Sequence, residues 1–181
     1  MGLDISAFSH LHLNRPRGES TLITTKTEPD GVLAHIAYPD HEPQFEGLTE
    51  GWYVETSASE AHRFRAGSYS GYSRWRSQLS MLVNGVPSEV VWGDDAKYKG
   101  SPFYEQINFA DNEGTIGPVV AKKLYEDYCN FLPIAEDVTT WAKRLQYDNA
   151  CIDEHEYFLL KYKDWMRAFE LASQNGLVSF H

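Results

Sequence analysis

Large aromatic side chains recur at helical spacing towards the end of the chain, and this stripe constrains the fold most strongly. Between residues 152 and 173 the main apolar positions lie three or four residues apart, at Phe158, Tyr162, Trp165, Phe169 and Ala172. That period places them on one face of a helix, and such a face is stable only when it is buried. The sequence therefore predicts a long helix that packs its aromatic face into a core.

The rest of the chain divides into an amino-terminal part with strand patterns and a helical part that follows it. Alternating or β-branched runs occur at residues 3–8, 21–27, 31–38 and 51–54. Helical periodicity occurs at residues 73–84, 118–131 and 133–145, and residues 177–180 are expected to return as an edge strand. With 181 residues and no repeat or linker, we predict one α+β domain over residues 1–181. A small antiparallel sheet from the amino-terminal part would pack against three to five helices from the carboxyl-terminal part.

The net charge of −10 limits the partners that the chain is expected to have. An acidic protein is poorly suited to bind nucleic acid backbones directly, because those contacts need basic surface. No run approaches the roughly 20 apolar residues that span a bilayer, and the first residues lack the pattern of a signal peptide. We therefore expect no membrane association and a cytoplasmic location. No spacing of cysteines or histidines indicates a metal site, and no motif indicates a cofactor.

One segment concentrates the negative charge. From Glu28 to Glu60 there are eight acidic residues and no Lys or Arg. This pattern is typical of a solvated loop, but it also suits an acidic surface that binds a basic protein. The residues predicted to contact such a partner are Glu42, Glu46, Glu50 and Glu55.

The segment FRAGSYSGYSRWR, residues 64–76, is the first candidate ligand site. Its small residues precede a predicted helix, whose first N–H groups and dipole favour an anion. Arginines can hold phosphate, and tyrosine rings can stack on a base. The predicted ligand-binding residues here are Arg65, Ser68, Tyr69, Tyr72, Arg74 and Arg76. The alternative is a tight turn before an amphipathic helix, with Trp75 in the core.

The segment FYEQINFADNEGTIGP, residues 103–118, is the second candidate. Asp111, Asn112 and Glu113 precede two glycines and a helix, so they are predicted to contact the donors of a ligand's base or sugar. Carboxylates at alternate positions can also hold a divalent cation or act as an acid–base pair. A polar turn with local side-chain hydrogen bonds is the alternative interpretation.

Three segments of the chain resemble uncharacterised proteins of bacteriophages and prophages. They are the opening MGLDISAF and the two segments FRAGSYSGYSRWR and PFYEQINFADNEGTIGP. The resemblance implies expression in a bacterial cytoplasm by a phage or mobile element. Small phage proteins often act on the host, for example by blocking a defence protein or by sequestering a signal nucleotide. The resemblance implies no catalytic residues.

Three functions are compatible with these patterns. The first is a binding protein that holds a small anionic, nucleotide-like ligand between residues 63–76 and 111–117. The second is an inhibitor that uses its acidic segment to block a host defence factor. The third is a metal-assisted phosphoester hydrolase built on Asp111, Glu113 and His62. The sequence favours binding over catalysis, because it contains no nucleophile elbow and no HExxH motif.

Overall fold

The chain folds into two antiparallel sheets and seven α-helices in the computed structural model, which describes residues 2–18, 31–109, 114–147 and 152–181. The strands are β1 (Leu3–Phe8), β2 (His12–Pro16), β3 (Val32–Ala34), β4 (Gly51–Val54), β5 (Ala61–Gly67), β6 (Gly114–Ile116) and β7 (Leu177–Phe180). The helices are α1 (Tyr69–Asn84), α2 (Ser88–Gly93), α3 (Asp95–Tyr98), α4 (Tyr104–Ile107), α5 (Pro118–Glu136), α6 (Val138–Arg144) and α7 (Ile152–Ala172). A 3-10 helix spans Pro39–Phe45. The predicted α+β class is therefore confirmed.

The larger sheet has four strands in the order β5-β1-β7-β6, and every neighbouring pair is antiparallel. Strand β1 lies inside this sheet because its backbone pairs with β5 on one side and β7 on the other. The smaller sheet has the order β2-β4-β3. The larger sheet thus combines strands from both ends of the chain.

The main core lies between one face of the larger sheet and the long helices. Alternate residues of β1, namely Leu3, Ile5 and Ala7, point to this face and are buried. Helix α7 buries its predicted aromatic stripe here, so that Phe158, Tyr162, Trp165 and Phe169 are at most 1% exposed. The long helix and its buried face are confirmed.

A smaller core joins the opposite face of the larger sheet to the smaller sheet. Phe8 and Leu177 from the larger sheet pack with Leu11, Ala34, Phe45 and Tyr53. Because neighbouring residues of a strand point to opposite faces, Ala7 and Phe8 place β1 side chains in both cores. Polar residues on this second face line a cleft.

Several boundaries differ from those that the sequence indicates. Residues 177–180 form an interior strand and not an edge strand, since β7 is paired on both sides. Helix α5 continues through Pro133, and the break falls at Asp137, whose carboxylate accepts a hydrogen bond from Thr140 N at 2.6 Å. The predicted strand at residues 21–27 lies outside the described residues. Among those that are described, no helix has a stretch long and apolar enough to cross a membrane.

Candidate functional site

A groove of about 340 Å³ lies between the first turns of α1 and the first half of α7. Its volume is within the range of about 300–1,000 Å³ that is typical of small-molecule sites. Ionisable and aromatic side chains from the two helices converge on it. The described residues that line it are Ala66, Gly71, Arg74, Trp75, Gln78, Asp153, Glu154, Tyr157 and Lys161. The first candidate segment of the sequence therefore contributes one wall.

Arg74 is the predicted ligand residue that the structure places in this groove. Its side chain is 65% exposed, and its Nη2 lies 3.7 Å from Oε1 of Glu154. The Tyr147 hydroxyl, and then the Glu154 carboxylate, raise the pKa of Arg74 above its ordinary value. An exposed pair at this distance contributes about 0–1 kcal/mol, so an incoming anion can displace Glu154 at little cost.

Lys161 supplies a second cation from α7. Its side chain is 14% exposed, and Nζ donates a hydrogen bond to the carbonyl oxygen of Arg65 at 2.7 Å. A weaker contact of 3.5 Å joins Nζ to Oδ2 of Asp164. Because an ammonium group has three N–H donors, the bond to Arg65 leaves donor capacity for a ligand. The strand carbonyl fixes the position of this charge at the groove.

Two aromatic residues provide apolar surface beside these cations. Trp75 is 4% exposed and packs against Phe158, with ring centroids 4.8 Å apart. Its indole Nε1 is buried and has no hydrogen-bond partner among the described residues. Tyr157 is 59% exposed, and Lys161 Nζ lies 5.9 Å from its ring centroid. The groove thus combines a buried indole with an accessible phenol ring.

The residues that α7 contributes were missed in the sequence analysis. Asp153, Tyr157 and Lys161 recur every four residues, which places them on one helix face. This second stripe lies beside the buried aromatic stripe and is polar, so it has the pattern of an ordinary solvated surface. The spacing alone indicates a shared face, and only the packing of α1 against it indicates a site.

Tyr72 and Arg76 are placed in the core and not in the groove. Tyr72 is fully buried, with its ring centroid 5.6 Å from that of Trp165. Arg76 is 5% exposed and donates hydrogen bonds from Nη1 to the carbonyl oxygens of Ile107 and Phe109, at 3.2 and 2.9 Å. These side chains are therefore occupied by internal contacts. Arg76 holds the beginning of the second candidate segment against α1 through main-chain carbonyls.

The other predicted residues of the first segment are dispersed. Arg65 lies on β5, and a Cβ atom added to Gly2 would be 1.8 Å from its Nη2, so its guanidinium lies against the Gly2 backbone. Ser68 caps α1, because its Oγ accepts a hydrogen bond from Gly71 N at 3.1 Å. Tyr69 lies on the other side of the helix start and lines a different cleft.

The predicted contacts at Asp111, Asn112 and Glu113 lie outside the described residues, so they stay predictions. Within the described ranges, no group of three or more His, Cys, Asp or Glu side chains could hold a metal ion. His62, the third residue of the hydrolase hypothesis, has its Nε2 3.4 Å from Oδ1 of Asp164.

The four acidic residues predicted to bind a partner differ in exposure and in their contacts within the fold. Glu42 and Glu46 are exposed, in and directly after the 3-10 helix. Glu55 is exposed, with its Oε1 3.9 Å from Nη2 of Arg63. The Glu50 carboxylate instead accepts a hydrogen bond from Ile36 N at 3.0 Å, which lowers its pKa. Glu50 is thus part of the fold, and the other three are accessible.

Comparison of the chain with family models, curated proteins and solved structures finds no match. The chemistry of the groove must therefore be inferred from its own residues.

Proposed function

We propose that this protein binds a small anionic ligand with a flat ring, of the nucleotide type, in the groove between α1 and α7. The observation that carries the proposal is the convergence of Arg74 and Lys161, from two different helices, beside Trp75 and Tyr157. Two cations favour a phosphate or carboxylate, and the aromatic surfaces favour a ring.

The acidic residues of the groove also suit a nucleotide-type ligand. Glu154 competes with a ligand anion for Arg74, because its carboxylate is the nearest acid to that guanidinium. Asp153 lines the same groove and suits the amino or hydroxyl donors of a base or sugar. A site with both charges selects a ligand that carries an anion at one end and donors at the other.

Native mass spectrometry of the protein purified gently from bacterial cells is the first experiment. A stoichiometric small anion that is released on denaturation supports the proposal and gives the ligand class. The affinity for AMP, measured by calorimetry, then tests the site itself. We expect Arg74→Ala to weaken AMP binding about tenfold or more, which corresponds to the loss of one charge-assisted contact.

Arg63 offers a matched control for Arg74. It is also an exposed arginine, at 61%, with one acidic residue at 3.9 Å, but it lies outside the groove. Arg63→Ala is expected to leave the affinity for AMP unchanged, whereas Glu154→Gln is expected to increase it by removing the competing carboxylate. Equal losses in Arg74→Ala and Arg63→Ala, or no loss in either, would contradict the groove as the site.

A basic host protein is the second candidate partner, and an acidic cleft supports it. This cleft, of about 450 Å³, is lined by three acids, Asp40, Asp95 and Glu105, and by one cation, Lys99, with the 38% exposed Trp92 among its other residues. Acidic rims with an aromatic residue are typical of sites that bind a basic partner. The phage origin implied by the resemblance would make this partner a host defence factor.

Pull-down from a bacterial lysate tests this candidate with charge reversal. The double variant Asp40→Lys/Glu42→Lys reverses one carboxylate of the cleft and one exposed acid of the predicted segment. It should lose a bound basic protein, and the wild-type complex should dissociate as the salt concentration rises. A complex that is indifferent to both changes would exclude the acidic segment as its binding surface.

A further inference from the structure

A second cleft, of about 590 Å³, lies on the face of the larger sheet that points away from the long helices. Ser6, Phe8 and Ser179 form part of its floor, and Val32, His35 and Tyr69 form part of its walls. None of the described residues that line it is Asp, Glu, Lys or Arg. This composition differs from that of the groove and indicates an uncharged ligand.

Hydroxyl-bearing residues form a row across three strands of this sheet face, and two of them, Ser6 and Ser179, line the cleft. Ser6 on β1 is the register partner of Ser179 on β7, and Ser179 is in turn the partner of Thr115 on β6. Directly paired residues point to the same face of a sheet, with Cβ atoms about 4.5–5.5 Å apart. Three hydroxyl groups on adjacent strands therefore face the same side.

The two serines that line the cleft are largely buried. Ser6 is 6% exposed and Ser179 is 9% exposed. Neither hydroxyl oxygen is among the fully buried atoms of the described residues that lack a partner, so both are accessible from the cleft that the two serines line. Thr115 differs, because its Oγ1 accepts a hydrogen bond from His35 N at 3.2 Å. Accessible hydroxyl groups on largely buried serines that line an open cleft are suited to donate to, and accept from, a ligand.

His35 adds a further unused polar atom to the same wall. Its backbone is fixed to the hydroxyl row by the bond to Thr115, and its imidazole lines the cleft. The Nδ1 atom is buried and has no partner within the described part of the chain. Two accessible hydroxyl groups from β1 and β7 and one unpartnered imidazole nitrogen from the segment after β3 thus belong to residues that line one space.

Apolar surface accompanies these polar groups. Phe8 and Val32 line the cleft, and the ring of Tyr69, which is 36% exposed, lies at its edge. An apolar wall with a few converging hydroxyl and imidazole groups is complementary to a sugar ring, whose C–H face is apolar and whose rim carries hydroxyl groups.

We propose that this cleft binds the ring of an uncharged sugar through Ser6, Ser179 and His35, with the sugar face against Phe8 and Tyr69. The sugar is either a free monosaccharide or the ribose of a nucleoside. The site is separate from the groove, because Tyr69 and Arg74 lie on different sides of the start of α1.

Calorimetry and ligand-observed NMR with D-glucose, D-ribose and adenosine test the proposal on the full chain. We expect at least one of these probes to bind with a dissociation constant on the order of 1 mM or tighter. Binding of a free sugar identifies a monosaccharide site, and binding of adenosine alone identifies a nucleoside site. Failure of all three to bind at about 10 mM overturns the proposal.

Serine variants distinguish a ligand contact from a structural role. Ser6→Ala and Ser179→Ala should each weaken the bound probe about fivefold or more, with unchanged midpoints of urea unfolding, since both hydroxyl groups are accessible from the cleft. Ser9→Ala is the matched control. This serine is 1% exposed, but its Oγ accepts a hydrogen bond from Glu60 N at 3.0 Å. Ser9→Ala should therefore lower the midpoint of urea unfolding and leave the affinity for the probe unchanged.

The same affinity measurements distinguish ligand binding in the groove from ligand binding in the cleft. Adenosine affinity that falls in Ser6→Ala but not in Arg74→Ala belongs to the cleft. The opposite result places adenosine in the groove, and the sugar proposal is then overturned unless D-glucose or D-ribose binds in a Ser6-dependent manner. Probe binding that is equal in wild type, Ser6→Ala and Ser179→Ala overturns it in every case.

Discussion

Arg76 is a buried cation whose replacement should destabilise the fold without acting through any ligand. Its Nη1 donates to the carbonyl oxygens of Ile107 and Phe109, and its guanidinium carbon lies 5.0 Å from the ring centroid of Tyr72 and 4.8 Å from that of Trp92. No acidic side chain of a described residue lies within ion-pair distance of it. The guanidinium therefore depends on main-chain carbonyls and aromatic faces.

The magnitude for Arg76→Met follows from these contacts. Two hydrogen bonds from a charged donor contribute about 1.5–3 kcal/mol each, and each cation–π contact adds about 0.5–2 kcal/mol. Removal of the charge also relieves its desolvation cost, which offsets several kcal/mol. The Ile107 carbonyl keeps a hydrogen bond from Trp92 Nε1 at 2.8 Å, so it stays satisfied. We expect a net loss of about 2–4 kcal/mol in the free energy of unfolding.

Urea unfolding followed by tryptophan fluorescence measures this loss. Arg74→Met is the matched control on the same helix, since that side chain is 65% exposed and should change the free energy by less than about 0.5 kcal/mol. An Arg76→Met variant as stable as wild type would refute a structural role for this arginine. Loss of AMP binding in a fully stable Arg76→Met variant would return Arg76 to the ligand site.

Two further predictions concern a backbone contact and a carboxylate. Gly176→Ala should lower the free energy of unfolding in urea by about 3 kcal/mol or more, because the added Cβ would lie 1.7 Å from the carbonyl oxygen of Phe8. Gly93→Ala is the control, since a Cβ added there meets no atom within 4 Å, and it should be neutral or slightly stabilising. Equal effects of the two substitutions would contradict the crowding at Gly176. The Ile36 N–H lowers the pKa of Glu50 below its ordinary 4.5, so Glu50 stabilises the fold above that pH and loses this effect as the pH falls through its lowered pKa. The difference in unfolding free energy between wild type and Glu50→Gln should therefore shrink in acid, and a difference independent of pH would exclude this coupling.

The longest periodic patterns predicted the fold best. Helix α7 was predicted almost to the residue, because its stripe from Phe158 to Ala172 repeats over about four turns and admits no other period. Strand β4 was also predicted, at residues 51–54, and in the structure Gly51–Val54 alternates between buried and half-buried positions. In both elements the local pattern and the tertiary packing favour the same structure.

Elements stabilised mainly by their neighbours were harder to predict. Strand β5 carries His62, Arg63 and Arg65, and most of its residues are exposed or half-buried, so its sequence lacks an apolar period. Pairing with β1 makes it a strand. Pro133 indicated a helix break, but α5 tolerates it and ends where Asp137 caps the next helix.

The candidate site could be predicted only in part, because residue types do not reveal which way a helix faces. Arg74 and Arg76 are the same residue type two positions apart, yet Arg74 lines the groove and Arg76 is buried. Buried arginines are rare, so sequence reasoning assigned both to a surface role. The acidic and aromatic contributions of α7, at Asp153 and Tyr157, became apparent only when α1 was seen to pack beside them.

Residues 64–76 therefore do not form a single pocket, because their side chains face different parts of the structure. Because α1 begins at Tyr69, positions four residues apart share a face, and Tyr72 and Arg76 are directed together into the core. Arg74 falls between them and faces the groove, while Tyr69 reaches the hydroxyl-lined cleft. Deletion of the segment would remove both proposed sites and part of the core at once. Single-residue variants are for this reason the only perturbations that can assign a ligand to one side of this helix.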